Sequence, residues 1–292
     1  MHPVLLQLHL PLVGSFTVSS FGAMMAGAFL AGHEVIRREL RRLGRDEALA
    51  GQIVIGAALG GIAGAKLYYL LLNWPETLAD PLGMVFARAG LVWYGGFFGG
   101  AIGVLYAIRR RREPLETIAD ACAPALALAY GLGRIGCFLV GDDYGLPTTS
   151  WIGVAFPAGT PPTTAGNLRH FFHVAVPAAI PDQAVLRVYP TELFETGMAL
   201  LIFWYLWRQR RHSHAAGWLF GLWMILAGLE RLAIEMFRAK DDRFFGPFTT
   251  AQLISVVLIV VGLALTRRRR VIARARAAAP ADGGVTSASR AK

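Results

Sequence analysis

Charge is scarce in this chain. Only 16% of its 292 residues are charged while 55% are hydrophobic, and the mean hydropathy is +0.47. A water-soluble enzyme of this length needs more polar surface than that, so the soluble class is set aside. Cysteine is nearly missing. Cys122 and Cys137 are the two present, and both fall in one apolar stretch, so no disulfide framework is expected. Acidic residues are outnumbered, 19 against 29 basic, for a net charge of +10. No nucleic-acid partner is expected from that excess, because the basic residues sit in short clusters directly after apolar runs. The start, MHPVLLQLHLPLVG, lacks a basic region, so no cleaved signal peptide is expected. There is no internal repeat and no metal-ligand spacing. GLGRIG, from Gly131, matches a dinucleotide fingerprint in letters, but no strand precedes it and it ends an apolar run, so no cofactor is expected.

What the chain does have is long apolar runs. Seven are long enough to cross a hydrocarbon core about 30 Å thick, and they run approximately 14–35, 51–73, 91–108, 117–140, 189–207, 217–237 and 249–266. The expected fold is therefore an all-α polytopic membrane protein of about seven transmembrane helices. Arginines follow the odd-numbered runs: Arg37, Arg38, Arg41, Arg42 and Arg45, then Arg109 to Arg112, then Arg208, Arg210 and Arg211, then Arg267 to Arg270. Positive loops stay cytoplasmic, so the N-terminus is expected outside and the C-terminus inside.

Residues 1–276 read as a single transmembrane domain. Its one long insertion, 141–188, is rich in proline and glycine and holds the β-like run WIGVAF, so a small extracytoplasmic cap with short strands is expected. Two short outer links, WPETLADPLG and DDRFFGPF, complete that side. The small, polar segment 277–292 reads as a disordered cytoplasmic tail.

Polar residues inside a membrane are costly and mark function. At a helical rise of about 1.5 Å per residue, Lys66, Arg134 and Arg231 fall at similar depth in the outer half. Tyr94, Tyr189, Glu192, Glu195 and Gln252 enter that level from the other direction. Arg231, Glu235 and Arg238 share one helix face by their spacing. Three cations with few acids to spare would suit a phosphate, whose oxygens fit the guanidinium fork. The glycines Gly60, Gly61, Gly64, Gly95, Gly96, Gly99, Gly100 and Gly103 are spaced for close helix contact, with room for acyl chains as the other reading.

Five blocks then fall in order: GAKLYY from Gly64, WYGGFFGG from Trp93, GRIGCFLVGDDYG from Gly133, YPTELFE from Tyr189 and RLAIEMFR from Arg231, followed by TTAQLIS. This set resembles the bacterial prolipoprotein diacylglyceryl transferases. Arg134, Gly136, Gly145, Glu195, Arg231, Glu235 and Arg238 keep the residue types the family shows. The departures are Cys137 and Val140 in place of asparagines, Asp142 in place of glutamate, and Tyr94 and Tyr189 in place of histidines. Phe21 and Ala227 also stand where tyrosines are usual.

The resemblance implies a bacterial inner-membrane enzyme that moves the diacylglyceryl group of phosphatidylglycerol to the lipobox cysteine of prolipoproteins. A thioether forms and glycerol phosphate leaves. It implies catalytic roles for Arg134, Arg231, Tyr94 and Asp142. Lys66, Gly95, Gly96, Cys137, Gly145, Glu195, Glu235, Arg238 and Gln252 would bind substrate. The arginines would clamp the departing phosphate and lower the thiol pKa, while Tyr94 positions a phosphate oxygen or relays a proton. Asp142 and Asp143 are further proton-acceptor candidates, with a turn-and-cap role as the alternative. Two other functions remain open: a divergent paralogue with altered or lost acceptor chemistry, and a transporter of an anionic solute.

Overall fold

The computed structural model describes residues 3–10, 14–87, 90–239, 243–245 and 248–278. The chain opens with an antiparallel hairpin, β1 (Val4–Leu10) and β2 (Gly14–Ser19), and then enters α1 (Ser20–Arg42). Ser19 caps that helix by accepting the Gly22 N–H at 3.0 Å. Residues 14–19, expected within the first span, are thus extended. Next come α2 (Ala48–Leu72), α3 (Trp74–Ala79), α4 (Pro81–Phe86), α5 (Trp93–Arg110) and α6 (Leu115–Val140). The insertion holds β3 (Val154–Ala155), α7 (Ala165–His170) and β4 (Arg187–Val188), with β3 and β4 paired antiparallel. The chain continues through α8 (Thr191–Gln209), α9 (Trp218–Glu235), β5 (Arg243–Phe245), β6 (Phe248–Thr249) and α10 (Thr250–Ala278).

The fold is mostly helical because apolar stretches satisfy their backbone groups within themselves. Among the described residues three helices, α2, α6 and the Thr250–Ala273 part of α10, are long and apolar enough to cross a membrane. Helices α1, α5, α8 and α9 lie on the remaining expected stretches, but each carries charge within its length, such as Glu230, Arg231 and Glu235 on α9. Helix α10 runs past the expected end at 266 through the Arg267 to Arg270 run. Beyond Ala278 the expected tail lies outside the described residues, as does part of the DDRFFGPF link. The WPETLADPLG link is helical, forming α3 and the start of α4.

Helix pairs build the body: α2 along α5, α1 along α6, and α9 along α10, with α8 joining α6 to α9. The arginine-rich ends gather at one end of the bundle, tied by ion pairs between elements. Arg45 meets Glu113 at 3.0 Å, Arg210 meets Glu39 at 3.2 Å, and Arg269 of α10 meets Glu116 of α6 at 2.9 Å. Asp120, a charge inside an apolar run, caps α9 by accepting the Gly217 and Phe220 N–H groups at 2.7 and 2.8 Å. At the opposite end the insertion has its own small core of Tyr144, Phe156, Leu168, Phe172, Val188 and Ala239. Tyr144 donates to the Pro161 carbonyl at 3.0 Å, and burial raises its phenol pKa, so it stays a donor.

The α2–α5 seam is made of glycine. A Cβ on Gly56 would stand 2.7 Å from the Gly103 carbonyl oxygen, and one on Gly64 would stand 2.8 Å from the Gly99 Cα. Backbones touch along this seam, which real side chains would prevent. Gly99→Leu should therefore destabilise the protein by about 1–3 kcal/mol or more, read as a lower melting temperature in detergent. Gly133→Ala, at a position with open space, should change it little.

Candidate active site

At its C-terminal end α6 stops at Gly141, which takes the left-handed conformation (φ +70°) and returns its N–H to the Cys137 carbonyl at 2.7 Å. The turn swings Asp142 and Asp143 back over the helix. The next residues are stitched to two other helices. Gly145 N–H donates to the Tyr189 carbonyl and Leu146 N–H to the Phe237 carbonyl, both at 2.8 Å, while Thr191 Oγ1 donates to the Asp143 carbonyl at 2.9 Å. A Cβ on Gly145 would lie 2.5 Å from the Phe237 oxygen and 2.8 Å from Thr191 Cγ2, which explains the glycine.

This stitching brings the charged side chains of α6, α8 and α9 into a closed ring. Arg134 Nη2 lies 2.8 Å from Asp143 Oδ2, and Asp143 Oδ1 lies 2.6 Å from Arg238 Nη2. Arg238 Nη1 is 3.5 Å from Glu235 Oε2, which is 2.8 Å from Arg231 Nη2. Arg231 Nη1 is 3.5 Å from Glu195 Oε1, and Glu195 Oε2 closes the circuit by accepting from Arg134 Nε and Nη2. Cation and anion alternate all the way round. Tyr130, one turn before Arg134 on α6, adds a hydrogen bond to Glu195 Oε1 at 2.8 Å.

The expectation of unneutralised cations is therefore corrected, because each arginine has two carboxylate neighbours. The physical reason is that an unpaired guanidinium in an apolar surround is far costlier than one sharing acids. Burial is deepest at the two glutamates, with the Glu195 and Glu235 side chains 1% and 2% exposed, while Arg231 is 23% exposed. Arg134 Nη1 turns to Cys137 Sγ at 3.6 Å, a weak acceptor. Asp142 lies beside the Cys137 thiol.

Of the residues singled out by sequence, Arg134, Arg231, Glu195, Glu235, Arg238, Cys137, Asp142 and Gly145 come together here. Others stand elsewhere. Lys66 Nζ donates to the Ala87 carbonyl at 2.9 Å, on the α2 side of the molecule. Tyr94, in the first turn of α5, is 41% exposed and packs edge-on against Trp93 at 5.3 Å. Gly95 and Gly96 belong to the glycine seam. Gln252 and Thr249 cap α10 reciprocally: Gln252 Oε1 accepts the Thr249 N–H and Thr249 Oγ1 accepts the Gln252 N–H, each at 3.1 Å.

Sequence reading missed Tyr130 and Glu230, and it placed Glu192 at the polar level without giving it a role in the site. Tyr130 is four residues from Arg134, a spacing that could have found it. Glu230 is 8% exposed, and Glu192 is fully buried. No sequence signal marks their burial.

A mostly helical, apolar chain that holds an alternating ring of guanidinium and carboxylate groups between its helices, with three helices among the described residues long and apolar enough to cross a bilayer, belongs to the membrane-protein class. The model of the prolipoprotein diacylglyceryl transferase family matches residues 7–268, and the chain belongs to that family. It is 31% identical to the phosphatidylglycerol–prolipoprotein diacylglyceryl transferase of Geobacter sulfurreducens, over 86% of this chain and 92% of that protein. It is 30% identical to the protein of that name from Thermus thermophilus, over 88% and 96%. The Clostridium tetani protein is 29% identical over 90% and 96%.

Asp143→Asn should leave Arg134 and Arg238 short of one charge and destabilise the protein by about 3 kcal/mol or more. Asp142→Asn should cost about 1 kcal/mol. Equal shifts in detergent melting temperature would remove Asp143 from its place in the ring.

Proposed function

We propose that this protein transfers the diacylglyceryl group of phosphatidylglycerol to the lipobox cysteine thiol of prolipoproteins, forming a thioether and releasing glycerol phosphate. The observation that carries the reading is the sharing of Glu195 by Arg134 and Arg231, which holds two guanidinium groups side by side in a chain of this family. The proposed setting is the bacterial cytoplasmic membrane, with α1, α2, α5, α6, α8, α9 and α10 as seven spans. The arginine-rich end faces the cytoplasm. The ring then lies toward the outer leaflet, and segment 141–188 forms an extracytoplasmic cap beside it.

The phosphodiester enters by sharing donors rather than by meeting bare cations. Arg134 offers Nη1 and Arg231 offers its exposed edge, since each guanidinium carries five N–H groups. As the glycerol C–O bond to phosphate breaks, the phosphoryl charge grows from −1 to −2. Donors fixed in a low-dielectric site stabilise that growing charge more than they stabilise the intact lipid. Tyr94, from the separate α2–α5 pair, positions a phosphate oxygen or relays a proton.

A second reading is favoured by Tyr94 and Tyr189, which stand where the family usually has histidine. In it, the acceptor chemistry is altered or lost. Complementation of a strain lacking its own transferase separates the two, since growth and lipoprotein maturation are expected only on the first.

Purified protein incubated with phosphatidylglycerol and a lipobox peptide should add one diacylglyceryl mass to the peptide by mass spectrometry; an unchanged peptide refutes the transfer. Arg134→Lys, which loses the bidentate fork, should lower kcat at least tenfold, and near-normal turnover argues against the clamp. Tyr94→Phe should slow turnover without changing the product, and an unchanged rate removes the tyrosine from the reaction.

A further inference from the structure

Transfer to a thiol has to place a proton as well as a phosphate, and the ring acids are poorly suited to take it. Both oxygens of Asp143 and of Glu195 are held by arginine or tyrosine donors, and Glu235 Oε2 meets two arginines. A carboxylate so engaged gives up its ion pairs when it is protonated.

Glu192 differs. It sits one turn before Glu195 on α8, so the two share a face, and its side chain is fully buried. Neither of its carboxyl oxygens has a hydrogen-bond partner among the described residues. The groups that face it are known from each side: Arg134 from α6, Asp143 and Tyr144 from the turn beyond α6, and Glu195 from its own helix. A buried carboxyl with no partner is rare in a folded protein, and it invites a functional explanation. Among the described residues no ion pair holds these oxygens.

We infer that Glu192 holds the proton released by the acceptor thiol, receiving it through Asp143, and so acts as a positioning residue for proton transfer behind the arginine ring. This inference rests on the transferase reading above. When the phosphoryl group takes donors from Arg134, Asp143 loosens and can accept. Its side chain is 14% exposed, the most open of the three ring acids. The thiol S–H bond breaks and its proton passes to Asp143 and then, because the buried carboxyl lies beyond direct hydrogen-bond reach of that aspartate, through a bridging water to Glu192. The sulfur electron pair forms the S–C bond to the glycerol carbon, and the C–O bond to phosphate breaks with its pair on the leaving glycerol phosphate. The proton returns to the departing phosphate or to water, which resets the site.

The test is Glu192→Gln, with transfer to a lipobox peptide measured from pH 7 to pH 9. A free thiol ionises near pH 8.5, so at the upper end solvent supplies the thiolate and an internal acceptor matters less. The expected result is a loss in kcat of tenfold or more at pH 7 that narrows to threefold or less at pH 9, with KM for phosphatidylglycerol unchanged. Glu192→Asp, which keeps the carboxyl, should restore part of the pH 7 rate. A constant deficit at every pH, a change in KM alone, or wild-type activity at pH 7 overturns the inference. Should Glu192→Gln fail to fold, Glu192→Asp decides: a pH profile unlike wild type in shape sustains the inference, and one that is merely scaled down overturns it. A wild-type protein that leaves the peptide unmodified is the separate outcome that sinks the transferase reading itself.

Discussion

Electroneutrality in an apolar surround governs the structure. Arg134, Arg231 and Arg238 cannot shed their charge, and each is matched by carboxylates from another element or from the next turn of its own. The result is a circuit in which no member can be removed without leaving an uncompensated neighbour. Because its members come from α6, α8, α9 and the turn after Gly141, the circuit also fixes how those elements approach. The stitched backbone around Gly145 gives the same arrangement a second set of constraints that do not depend on charge.

That arrangement changes how anion recognition works on the proposed reaction. A cluster of bare cations would bind any anion strongly, including the product. In the proposed reaction a balanced ring would bind through the N–H groups that its acids do not take, such as Arg134 Nη1 with only its weak contact to Cys137, and would gain more as negative charge builds on the phosphoryl oxygens.

The α2–α5 pair forms a second unit with a different bonding logic. Its seam holds backbone against backbone through glycine, and it carries Lys66 and Tyr94 on a part of the molecule that packs mainly against α1. A site served from both units would form between rigid bodies held by unlike forces, ion pairs on one side and close van der Waals contact on the other.

The periodic and compositional features were readable in the sequence. Apolar runs became helices, arginine clusters gathered at one end, and the glycine spacing produced the seam, because each depends on residues near one another along the chain. The i to i+4 pairing of Arg231 with Glu235 is local in the same way. The Thr249 and Gln252 capping pair is local in the same way, although the sequence reading had given that glutamine a substrate-binding role. Only the tertiary structure decided that Asp143 bridges Arg134 and Arg238, that Glu195 bridges Arg134 and Arg231, and that Glu192 is buried outside any ion pair among the described residues. Those outcomes depend on how helices are rotated and staggered against one another, and on a left-handed turn at Gly141 that sends two adjacent aspartates to different neighbours.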